Sequence, residues 1–211
     1  MSKVRLSRVF TEEERATLTL LMLDHVLATL RKARTISSVT VVSADRKISG
    51  RLRNSGARFL WEGRKRGLNP AIIFAQRKII FKDNSSVLII HADLPILNAK
   101  DVDTFVHTSG RYEIGICPSS DGHGTNALFL KTPNLIRPAF GQESFRKHLK
   151  LIREKSLRHK ILRLQGIGFD LDNTKDLEKL IQNSNNNGVS RFLRKKIVQK
   201  RQLHASKLWS V

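Results

Sequence analysis

Behind Thr11 and Glu14, spaced as a capping box, Leu18, Leu21, Met22, Val26 and Leu30 recur at helical intervals, with His25 on the same stripe. This predicts a first helix over about 12–33. Short apolar runs follow at 39–42, 57–60, 87–90, 112–117, 126–131 and 160–164, each of strand length. Helical segments fall between them. Asn69 is expected to cap a helix that Pro70 opens and that runs to about 81, and Asn98 to cap a short one carrying Val102, Phe105 and Val106. Further helices are expected at about 143–155 and, capped by Thr174, at 175–181. This alternation predicts an α/β fold with helices on both faces of a sheet. The first ten residues show no nucleotide-binding strand ahead of the first helix, and no P-loop or glycine-rich phosphate cradle occurs anywhere.

A chain of 211 residues suits one α/β domain with a sizeable core. We place that domain at 1–182, an Asn-rich linker at 183–188 and a basic helix or tail at 189–211. Cys117 has no partner for a disulfide, and no apolar stretch reaches membrane-spanning length, so a soluble cytoplasmic protein is expected. Lys and Arg number 39 against 18 Asp and Glu, a formal charge of +21 that points to anionic partners. Part of the excess sits in the tail, where Arg191, Arg194, Lys195, Lys196, Lys200, Arg201 and Lys207 meet no acid. Non-specific nucleic-acid binding through this tail, on an inactive fold, is therefore an alternative function. Aromatic residues are only 6% of the chain and no nucleic-acid module is recognisable, which weighs against it.

Two segments carry the candidate chemistry. Val87-Leu88-Ile89-Ile90 runs toward Asp93, and Gly166-Ile167-Gly168-Phe169 runs into Asp170 and Asp172, so both are expected to place carboxylates at the ends of apolar strands. Ligands of open α/β sheets collect there, and carboxylate oxygens suit magnesium bound together with substrate phosphates. Taken singly, Asp93 and Asp172 read equally well as turn or cap residues. No Ser–His–Asp or Cys–His constellation is evident, and His91 and His123 lack paired ligand spacing, so packing and loop roles are expected of them.

Five motifs in register narrow the reading: Gly67-Leu68-Asn69, Asp93-Leu94-Pro95, Asp121-Gly122-His123-Gly124-Thr125-Asn126, Phe140-Gly141-Gln142-Glu143-Ser144 and Asp170-Leu171-Asp172. Together they resemble the 2-phospho-L-lactate guanylyltransferase family of coenzyme F420 biosynthesis, over about 3–180. The resemblance implies a Rossmann-like, sugar-nucleotide-transferase-like mixed sheet. It also implies a reaction of GTP with 2-phospho-L-lactate that gives lactyl-2-diphospho-5'-guanosine and pyrophosphate. Phosphoenolpyruvate and 3-phosphoglycerate are alternative acceptors, because no motif reads the acid's small backbone.

The resemblance further implies roles for individual residues. Asp93, Asp170 and Asp172 would hold Mg2+, and Lys3 and Arg5 would face the triphosphate. Glu62, Gly67 and Asn69 would lie near the guanosine, and Gly124, Thr125, Asn126 and Ser144 near the phospho-acid. Bland alternatives stand beside these: Asn69 and Ser144 as helix caps, the Asp-Gly and His-Gly pairs as a hairpin turn. A homodimer is implied as well. The family places a strand ahead of the Lys3 segment, which this sequence reaches at once. The sheet is therefore expected without its first strand and the chain as written is expected to be a weak enzyme. Restoring an upstream in-frame extension should raise its activity.

Overall fold

The computed structural model describes residues 6–65, 67–79, 85–182 and 187–208, with side chains described as far as 198. Its helices are α1 (Glu12–Lys32), α2 (Lys47–Leu52), α3 (Leu68–Lys78), α4 (Ala99–Ser109), α5 (Ser144–Glu154), α6 (Gln165–Gly168), α7 (Thr174–Gln182) and α8 (Gly188–Leu208). The strands are β1 (Thr40–Ser43), β2 (Arg58–Trp61), β3 (Val87–Ile90), β4 (Ile114–Pro118), β5 (Thr125–Leu130) and β6 (His159–Ile161). Among the described residues β1 and β2 form a parallel pair, and the other four form a sheet ordered β3-β5-β4-β6. In that sheet β5 is antiparallel to both neighbours and β6 is parallel to β4.

The period-two alternation of strands explains how the four-stranded sheet is covered. Leu88, Ile90, Cys117, Ala127 and Phe129 face a cluster with Val26, Leu30, Val102 and Phe105 from α1 and α4. Ile89, Ile114, Ile116, Leu128 and Leu130 face the other way, onto Phe145 and Ile152 of α5. Every residue of β4 and β5 is buried, so these are the central strands and their near-continuous apolar runs follow from that. At Gly115 an added Cβ would lie 3.3 Å from the Phe129 Cβ and would overlap the Ser109 side chain, so the end of α4 closes onto the sheet here.

A third cluster joins both ends of the described chain. Leu18 and Met22 of α1 meet Phe169, Leu171, Leu177 and Leu180, and also Val189 and Leu193 of α8. Lys196 on α8 pairs with Glu14 at 2.9 Å. Asn187 caps this helix by accepting from the Ser190 N–H at 2.9 Å, and its amide donates to the Pro95 carbonyl at 2.6 Å.

Several expectations hold and others are revised. The Thr11–Glu14 capping box is present in both directions, and Asn98 caps α4 through the Asp101 N–H. The second predicted helix begins earlier, at Leu68 after Gly67 at φ +88°. Asn69 is therefore inside α3 rather than its cap. Pro70 falls third, still in the first turn, where its missing N–H costs nothing. At α7 the cap is Asn173 rather than Thr174, since Asn173 Oδ1 accepts from the N–H groups of Lys175 and Asp176 at 2.9 and 3.2 Å.

The largest revision concerns the segment leading to Asp170. The expected apolar strand is instead the single helical turn α6, and β6 stops at Ile161. Glycine weakens a strand by leaving nothing to pack, and Gly166 donates its N–H to the Asp101 carboxylate at 2.7 Å. A Cβ there would sit 2.6 Å from the same oxygen, so any side chain at this position would displace the Asp101 carboxylate.

Candidate active site

The acids meet although only one of them follows a strand. Beyond β3 the His91 N–H continues the ladder to the Asn126 carbonyl at 3.0 Å, and the chain then turns through Asp93 into buried Leu94. From the other side the Leu171 N–H donates to the Asp93 carbonyl at 3.3 Å. That one backbone bond, with the Leu171 side chain buried in the third cluster, sets Asp170 and Asp172 beside Asp93. The Asn126 amide supports the turn from beneath, donating to the carbonyls of Ile167 and Gly168 at 3.0 Å each and approaching Asp170 Oδ1 at 3.4 Å.

Electrostatics confirm the convergence. Burial, then the charges of Asp172 and Asp93, push the Asp170 carboxyl up to about 6, with the Asn126 amide pulling the other way. Three hard oxygen donors brought to one place are a site for a cation. Among the described residues no three His, Cys, Asp or Glu side chains already close around a metal-sized point. His91 Nδ1 lies 3.9 Å from Asp93 Oδ1, and its ring lies tilted against that of Phe140 with centroids 5.3 Å apart.

The glycine-rich loop between β4 and β5 is held mainly by its own bonds. Ser119 Oγ donates to the Asp121 carboxylate and accepts from the Gly124 N–H at 2.7 Å. The His123 N–H reaches Asp121 at 3.0 Å. A Cβ on Gly124 would come within 2.7 Å of Ser119 Oγ, so the close approach this glycine permits is to the loop itself. His123 Nδ1 lies 2.7 Å from Glu143 Oε1, and the His123 carbonyl accepts from the Phe145 N–H at 3.1 Å. The loop is thereby tied to the start of α5, where Glu143 adopts φ +53° and Gly141 φ +110°.

Thr125, Asn126 and Ser144 lie directly beneath this junction and are at most 2% exposed. Asn69 reaches it from α3. Its amide nitrogen donates to the Phe140 carbonyl at 2.9 Å and its amide oxygen accepts from the Phe140 N–H at 2.7 Å, as a neighbouring strand would. Asn69→Ala should therefore lower stability by about 1–2 kcal/mol, because both Phe140 backbone groups lose their partner. Urea unfolding measures this, and a change below about 0.5 kcal/mol would show that water substitutes for the side chain. Glu62 is 7% exposed just past β2, and Gly67 supplies the left-handed turn into α3. Lys3 and Arg5 lie outside the described residues.

The carboxylates, the α3 entry and the β5–α5 junction thus share one end of the sheet. A family model for guanylyl transferases of the CofC-like type matches residues 1–210. The chain belongs to this guanylyl transferase family. This CofC-like protein is 36% identical over 179 residues to a phosphoenolpyruvate guanylyltransferase of Sphaerobacter thermophilus, covering 85% of this chain and 86% of that one. It is 32% identical over 192 residues to a 2-phospho-L-lactate guanylyltransferase of Methanocaldococcus vulcanius, covering 91% and 84%.

Among solved structures the CofC-like chain resembles one from Desulfovibrio desulfuricans assigned as a nucleotide-diphospho-sugar transferase. The TM-score is 0.73 at 18% identity, over 95% of this chain and 90% of that one. A 4-diphosphocytidyl-2C-methyl-D-erythritol synthase matches at TM-score 0.58 and 14% identity, over 75% and 88%. These likenesses show the expected nucleotidyltransferase fold, and the family makes the protein a nucleotidyltransferase enzyme. Among the described residues no helix is long and apolar enough to cross a membrane.

Residue-by-residue reading missed His148, Phe140 and Glu143. His148 carried a usable signal: it lies between Phe145 and Ile152 on the apolar face of α5, where a histidine must find polar partners. Glu143 and Phe140 carried none beyond their place in a motif, since their roles depend on loops that meet only in three dimensions.

Proposed function

We propose that this protein joins GTP to a three-carbon acid bearing its phosphate on C2, either 2-phospho-L-lactate or phosphoenolpyruvate, in coenzyme F420 biosynthesis. The acceptor's phosphate oxygen forms a bond to the α-phosphorus of GTP while the bond to the β-phosphate oxygen breaks, and pyrophosphate leaves. A phosphate monoester has its second pKa near ~6 and is mostly ionised at neutral pH, so the enzyme needs no strong general base. Alignment and charge neutralisation remain as its tasks.

The observation that carries this reading is the convergence of Asp170 and Asp172 on Asp93, felt in the raised Asp170 carboxyl. The donor set fits Mg2+, which takes one or two carboxylates and completes its shell with water and substrate phosphates, so no closed protein cage is required. Bound there, Mg2+ would neutralise charge on the triphosphate. Asp93, Asp170 and Asp172 would hold that ion. The buried Thr125, Asn126 and Ser144 fix the loops that face the acid.

The deciding experiment mixes the protein with GTP, Mg2+ and, separately, 2-phospho-L-lactate, phosphoenolpyruvate and 3-phosphoglycerate, and follows pyrophosphate release. Turnover with one of the two C2 phosphates, at least tenfold above 3-phosphoglycerate in kcat/KM, is expected. Silence with all three would reject the reading.

A further inference from the structure

Buried His148, on α5, has polar partners on two other segments, the start of β5 and the strip before α5. Its Nε2 lies 3.1 Å from the backbone nitrogen of Ala139, and its Nδ1 lies 3.0 Å from Thr125 Oγ1. A backbone N–H can only donate, so Nε2 must accept and cannot carry a proton. A neutral imidazole then holds its proton on Nδ1, directed at Thr125. Charging the ring would set two donors face to face at Ala139. Burial, and next the nearby His91, push the ring's pKa down to about 4, which agrees with the neutral form the bonds demand.

The ring's face completes the connection. Phe140 packs edge-on against His148 with centroids 4.9 Å apart and also lies tilted against His91, two residues before Asp93. We propose that His148 is a positioning residue for guanylyl transfer, an uncharged pin that fixes the start of β5, the strip at 139–140 and α5 as one acceptor-side unit. The proposal rests on the functional reading above. It differs from a packing role in one respect: loosening the pin should disturb the acid's site more than the GTP side, because Phe140 keeps its own two bonds to Asn69 of α3.

His148→Leu keeps most of the volume and removes every polar bond. The KM for the preferred phospho-acid should rise about tenfold, the loss expected for one or two net hydrogen bonds, with the KM for GTP within about twofold. His148→Gln, which offers both an acceptor and a donor, should recover part of the difference. It also serves if the leucine variant does not fold. Equal rises in both KM values, or no rise in either, would overturn the proposal. A second readout needs no turnover: a long-range 15N–1H spectrum of the wild-type protein at pH 7 should show a neutral His148 ring protonated on Nδ1. A ring protonated on Nε2, or an imidazolium, would remove the pin even in an active enzyme. Conversely, a wild-type protein silent with every phospho-acid but carrying that tautomer would fail the functional reading while leaving the pin in place.

Discussion

Asp93→Asn should lower guanylyl transfer by about 10³-fold while leaving the fold intact, a loss of the size seen when one charge-stabilising group is removed from a transition state. The substitution preserves shape. The bond that joins the two acidic segments uses the Asp93 backbone carbonyl, which asparagine retains. What disappears is one negative charge facing Asp170. Pyrophosphate release at saturating GTP and Mg2+ measures the loss, and a melting temperature within a few degrees of wild type shows that unfolding is not its cause. A variant keeping a tenth of the wild-type rate would exclude this carboxylate from the reaction.

Asp170→Asn should separate activity from stability in the opposite sense. The folded protein holds this carboxyl up to about 6 against 3.8 for a free one, so ionising it works against the fold. Between those two values the folded state binds more protons than the unfolded state, and stability falls as pH rises. Above about pH 6 to 7 the penalty is complete. In chelated protein at pH 7.5 the asparagine variant should therefore be more stable than wild type, by on the order of 1 kcal/mol after allowance for solvent screening at a partly exposed group. Its stability should also be flatter between pH 4 and 7, and it should be nearly inactive. Urea unfolding across that range tests the sign. A variant less stable than wild type at pH 7.5 would mean that the carboxylate has a stabilising partner in the fold.

The layered α/β fold was legible because its strands obey simple rules. Fully buried β4 and β5 read as apolar runs, and the Thr11–Glu14 box announced α1 in the only register its apolar stripe allows. The passage from Gly166 to Asp170 was misread because two glycines among apolar residues look alike in a strand and in a tight turn. What decides between them is the Asp101 carboxylate, far away in sequence. The acidic residues proposed for the site could be named in advance because each sits in a short motif. Their meeting could not be derived, since it depends on contacts distant in sequence, among them the backbone bond between Asp93 and Leu171 and the Asn126 amide beneath the turn. His148 was overlooked for a related reason. A histidine on an apolar helical face signals a buried polar network, but its partners come from β5 and from the strip before α5.

The cluster that unites Leu18 and Met22 with Val189 and Leu193 constrains how the molecule is made. As the chain leaves the ribosome, α1 emerges early with the part of its surface meant for α7 and α8 still bare. Those helices follow only after all six described strands. Because contacts of such long span form only after their loop has closed, this cluster waits on the synthesis of α7 and α8. Until then an apolar stripe on a strongly cationic nascent chain is open to whatever binds it first.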